Sequence, residues 1–246
     1  MRDQIRSEFR KIRSTRSAWG LLIAAIALAG LAAWAMVASL HFGPAVALTT
    51  LPGFAEMMVL VPILTAVMGI RSYTDEARHG SIVPTLLASP KRRRVIASKV
   101  VVLAGAAAVF AVAASLTVAV VSGALLVAGG VAVSVSAAAL AVLLAKAIVI
   151  CALWAVIGLG VGVTVSHQVA AIVGTILWLL MGEGIVEMLS APVARFLPAH
   201  ASTSVLGIAA TDASLVAPLV GGALLIGWAA LSVGLGTRTL VRRDIA

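Results

Sequence analysis

The stretch VVVLAGAAAVFAVAASLTVAVVSGALLV, Val100–Val127, runs for 28 residues without a charge. At about 1.5 Å per residue a helix of that length exceeds the roughly 30 Å hydrocarbon core of a bilayer. A barrel strand would instead alternate polar and apolar residues over about ten positions. Five further stretches of the same kind flank it: Ala18–Leu40, Leu51–Ile70, Ala137–Val165, Val169–Leu189 and Leu215–Thr237. His41-Phe42-Gly43-Pro44, Gly129-Gly130, Ser166-His167-Gln168 and the proline-containing segment 190–214 supply the breaks between them. The fold class expected is all-α, a polytopic membrane protein with six transmembrane helices.

Composition agrees with this reading. Hydrophobic residues make up 62% of the chain and charged residues 11%, against roughly 45–50% and 25% in soluble domains. Sixteen of the 18 Lys and Arg residues fall in Met1–Ser17, Arg71–Lys99 and Thr237–Ala246, leaving only Lys146 and Arg195 elsewhere. Cationic loops stay on the cytoplasmic side, so both termini and the 71–99 connection are expected inside, which requires an even number of spans. The net charge of +9 follows from that topology and from attraction to anionic lipid, not from nucleic-acid binding. A cleaved signal peptide is rejected because Ala18–Leu40 exceeds the usual 7–15-residue apolar core and five more spans follow. Cys151, the one cysteine, falls within the fourth span and is read as a packing residue.

Residues 1–17 form an amphipathic interfacial helix. Ile5, Phe9 and Ile12 recur at helical spacing, while Arg2, Arg6, Arg10, Lys11, Arg13 and Arg16 occupy the other faces. Entry into the first span is expected through a bend near Trp19-Gly20. The remainder, 18–246, is the six-span domain, with segment 71–99 as its long cytoplasmic connection and 190–214 as a small outer cap. In Thr74-Asp75-Glu76-Ala77-Arg78-His79-Gly80 the hydroxyl and acidic residues suit a helix N-terminus, and the glycine a break.

Glu76, Gly80, Ser81, Leu86-Leu87, Pro90, Arg92 and Lys99 together resemble the loop of ATP-binding-cassette exporter permeases of the second membrane-domain class. That pattern is a Glu, then Gly-Thr, a Leu pair, Pro, Arg and Lys ahead of the third span. Ser81 stands where Thr is more usual, and Lys91–Arg94 is denser in charge than the pattern. The resemblance implies a permease subunit of the plasma membrane that pairs with a second permease, often an identical copy, above a cytosolic ATPase dimer. ATP and Mg would be bound on that partner, and no cofactor by this chain. It further implies that a short helix around Asp75–Leu87 seats in a groove of the ATPase, with Asp75, Glu76, Arg78, Gly80 and Leu86 carrying the coupling. No Gly-x-x-x-x-Gly-Lys-Ser/Thr sequence occurs here, so energy would arrive by contact.

Charges inside apolar spans are costly and therefore candidate functional residues. Glu56, Lys146, Glu183 and Glu187 are the candidates for the transport path. Lys146 with one of the glutamates would form a structural ion pair, or these residues would line the exit of a substrate path. Glu183 and Glu187 share a helix face, or belong to a re-entrant hairpin that Gly182 and Gly184 would permit. Gly158, Gly160, Gly162 and Gly221-Gly222 read as helix-packing positions. His41, His79, His167 and His200 are scattered, and no His-Glu-x-x-His pair or Gly-x-Ser-x-Gly elbow accompanies them, which argues against a membrane enzyme. A passive channel or scaffolding subunit is the other alternative to an exporter. Aromatic residues at 4% favour an apolar or amphiphilic cargo such as a drug, peptide or lipid over a sugar chain.

Overall fold

The computed structural model describes residues 2–39, 54–80, 92–130, 136–207 and 216–242, and these residues contain helices and turns but no strand. In chain order they are α1 (Arg2–Ser14), α2 (Arg16–Ser39), α3 (Phe54–Arg78), α4 (Arg92–Ala128), α5 (Ala137–Val165), α6 (Gln168–Leu177), α7 (Glu183–Leu189), α8 (Ala191–Ala194), α9 (Pro198–Leu206) and α10 (Pro218–Arg242). A π turn over Trp178–Gly182 joins α6 to α7, so these form one continuous rod. Six helices among the described residues are long and apolar enough to cross a membrane, as the sequence predicts.

Helix α5 is the centre of the bundle, packed against α3, α10 and α4. Its glycines explain why. A Cβ on Gly158 would fall on the Ala66 carbonyl of α3, one on Gly69 would fall on the Ala155 carbonyl of α5, and one on Gly162 would lie 2.7 Å from the Ile70 oxygen. Two residues from Gly158, Gly160 meets α10 in the same way at Ser232. Lipid tails are as apolar as the side chains, so close backbone approach and van der Waals contact hold such helices together. Cys151 is fully buried in this core, and Gly221 lets α10 approach Ala201 of α9.

Three boundaries differ from expectation. The break between α1 and α2 is at Thr15, not at Trp19-Gly20, and the Trp19 indole reaches back to donate to the Arg13 carbonyl at 3.0 Å. Helix α3 continues eight residues past Ile70 to Arg78, so Thr74–Arg78 is a helix C-terminus and not an N-terminus. Thr74 is buried and donates to the Ile70 carbonyl at 3.0 Å, and Gly80 at φ +69° supplies the expected stop. Helix α4 starts at Arg92, so Lys99 is a helical residue. The other breaks stand as read: Gly130 has φ +73°, Ser166 has φ +60°, and His167 accepts from the Ala170 N–H. The His41–Pro44 turn lies outside the described residues.

Candidate functional site

At the end of the bundle where α2 begins and α3 stops, four side chains from three helices form a closed cluster. Glu8 comes from α1, Glu76 from the last turn of α3 and Lys99 from the start of α4. The Lys99 ammonium donates to Glu8 Oε2 at 2.7 Å, to Glu76 Oε1 at 2.8 Å and to the Ser72 carbonyl at 3.0 Å. All three of its protons are thereby used. Lys11 of α1 completes the ring, donating at 2.8 Å to Glu8 Oε1 and at 2.8 Å to Glu76 Oε1.

Lys99 is only 1% exposed. A buried ammonium is tolerable only when paired and hydrogen-bonded, and this one meets both conditions. Burial alone would raise the Glu8 carboxyl, but the Lys99 charge and hydrogen bonds from both lysines outweigh it and hold Glu8 below its ordinary value. Burial likewise works against the Lys11 ammonium, and the bonds to Glu76 and Glu8 outweigh it, raising Lys11 above its ordinary value. The cluster, two carboxyl and two amino side chains in mutual contact, joins the amphipathic helix to the ends of two spans.

A second link lies beside it. Asp75 accepts from Arg71 Nε at 3.2 Å and from Gln168 Nε2 at 2.7 Å, tying α3 to the start of α6. Arg78, His79 and Gly80 follow as the exposed end of α3. Of the coupling candidates, then, Asp75 and Glu76 are engaged within the chain, Arg78 and Gly80 are exposed, and Leu86 lies outside the described residues.

The path candidates are arranged differently from the expected ion pair. Lys146 does not meet Glu183 or Glu187; it donates at 2.8 Å to the Leu206 carbonyl at the C-terminus of α9. Glu183, 2% exposed, accepts from the Ala199 N–H at 3.1 and 3.0 Å through its two oxygens, at the N-terminus of α9. A helix carries partial positive charge at its N-terminus and partial negative charge at its C-terminus, so each side chain meets the end of α9 that its charged form would favour. His200 stands between the glutamates, Nδ1 3.3 Å from Glu183 and Nε2 3.4 Å from Glu187. The Glu56 side chain lies outside the described residues.

Segment 190–207 is tied into the bundle by two indoles. Ser202 of α9 accepts from the Trp154 indole at 3.0 Å, and the Phe196 carbonyl accepts from the Trp228 indole at 2.9 Å. Trp154 is well inside α5 and Trp228 well inside α10, so the chain turns back into the bundle after α7. Glu183 and Glu187 themselves both lie on α7, at i and i+4.

Sequence reasoning missed Glu8, Lys11 and His200 as members of these sites. A signal existed for Glu8: it falls between Ile5 and Ile12 at i+3 and i+7, on the inward stripe of α1. Phe9, assigned to that stripe, is 57% exposed. The model of the ABC-2 family transporter protein matches residues 4–182, which include all four members of the charge cluster. No curated protein matches the chain.

Proposed function

Because the chain belongs to the ABC-2 family of transporter proteins, we propose that it is the permease subunit of an ATP-driven exporter, paired with a second copy above a cytosolic ATPase dimer. The observation that carries this reading is the Glu8–Lys11–Glu76–Lys99 joint. A push delivered to the connection beyond Gly80 enters the end of α3, and the joint passes it to α1 and α4 together. Such a linkage serves a subunit driven from outside; a passive channel has no use for it.

The remaining features fit the same assignment. The rod of α6 and α7 is the span least covered by the rest of the chain, which leaves it for a second permease or for lipid. An apolar groove of about 400 Å³ beside it, walled by Trp154, Trp178 and Trp228, suits an apolar or amphiphilic cargo such as a drug, peptide or lipid. With Lys and Arg on the cytoplasmic side of the plasma membrane, the joint and both termini face the ATPases.

Purification of the tagged chain in mild detergent from its native host tests the assignment: an ATPase with a phosphate-binding loop is expected to be retained. Gly80→Trp is the paired variant, because nothing lies within 4 Å of a Cβ at Gly80, although its φ of +69° strains any side chain. It is expected to lower the ATPase rate of the complex several-fold while the permease stays folded. Absence of a bound ATPase, or an unchanged rate, would overturn the proposal.

A further inference from the structure

A cavity of about 510 Å³ lies beside the charge cluster, walled by the α1–α2 elbow, the last turns of α3 and Gln168. Its three acids are neutralised within the protein: Glu8 and Glu76 by Lys11 and Lys99, and Asp75 by Arg71. Arg16 and Arg78 also line it, both exposed, and among the described residues neither makes an ion pair or a side-chain hydrogen bond. The cavity thus carries two positive charges that no described side chain matches. Its other wall is apolar, formed by Ile12, Ala18, Leu21 and Met68.

We propose that this cavity binds the headgroup of an anionic phospholipid from the leaflet at the basic end of the bundle. The site sits at headgroup level, since Arg16 opens the first span and Arg78 closes the second. Trp19, one turn into α2 and 55% exposed, marks the same level, because exposed indoles collect at the water–hydrocarbon boundary. Phe9 is exposed as well, on α1, the helix that gives Glu8, Lys11 and Ile12 to the cavity wall. Two guanidiniums suit a phosphate in particular, through paired N–H donors. The apolar wall selects the occupant further: the glycerol and first methylenes of a lipid fill it, whereas a free phosphate would leave it empty.

The test uses the full chain alone, so its outcome does not depend on the ATPase reading. Phosphatidylglycerol and phosphatidylcholine are offered in equal amounts in mixed micelles, and bound lipid is counted by native mass spectrometry. The wild type is expected to retain phosphatidylglycerol selectively. At about 1 kcal/mol for each basic residue near a lipid surface, Arg16→Gln with Arg78→Gln lowers that affinity tenfold or more, and either substitution alone lowers it about fivefold. The single variants serve if the double variant does not fold. Arg6→Gln with Arg10→Gln removes the same charge from α1 outside the cavity and is expected to change retention by less than about twofold. No selectivity in the wild type, or an equal loss in the Arg6/Arg10 variant, would overturn the site. Displacement of the lipid by inorganic phosphate at equal concentration would overturn it too, by showing a simple anion site.

Discussion

At the basic end of the bundle four side chains pair with one another, whereas Lys146 and Glu183 are bound by the two ends of one short helix. Both arrangements keep charge out of contact with hydrocarbon. In the first, each charge depends on its partners directly, and removal of one strands the others. In the second, Lys146 and Glu183 share no partner: each binds its own end of α9, and His200 stands beside Glu183. The cluster is accordingly cooperative and the α9 clamp is additive.

Lys99→Met attacks the cooperative end and carries the largest expected effect. It leaves Glu8 and Glu76 buried with only Lys11 between them, and loss of one partner from a buried ion pair costs about 3–5 kcal/mol. Thermal unfolding of the purified chain in detergent should show a marked fall, and Lys99→Met with Glu76→Leu should recover much of it. A double variant no better than the single one would break the contrast.

Glu183→Gln probes the additive end, where loss of an N-terminal carboxylate costs about 0.5–2 kcal/mol. The same melts should detect it. Lys146→Met should cost about 1 kcal/mol through the opposite terminus. Combined, the two should sum with a coupling below about 0.5 kcal/mol, as separate partners require. A coupling of 2 kcal/mol or more would restore the direct ion pair that the sequence suggested.

The smallest effect is on pH. Glu8 is held below its ordinary value of 4.5, so its contribution to stability is complete above that pH and is lost as pH falls through the lower folded-state value. Lys11 is held above its ordinary value of 10.5, so its share is complete below that pH and disappears only as pH rises further. Melts at falling pH should therefore soften below pH 4.5 in the wild type and less so in Glu8→Gln. Equal slopes would detach Glu8 from the joint.

The spans, the glycine contacts and the Gly80 stop were legible because each leaves a local mark: a long charge-free run, a small residue at a helix crossing, a glycine after a polar turn. The joint was not, since Glu8 and Lys99 are 91 residues apart and no periodicity links them. The extension of α3 left a usable trace in Arg71 and Asp75 at i and i+4, which pair at 3.2 Å. Reading the end of the apolar run as the end of the helix hid it. Helix α9 spans nine residues, too few to declare itself by pattern, and with it went the true partners of Lys146 and Glu183.

Gly158 and Gly162 face α3 while Gly160 between them meets α10, so α5 touches bare backbone along two flanks. A rod seated in that way cannot spin about its own axis without driving its larger neighbours into a carbonyl. Helices α3, α5 and α10 therefore move as one body.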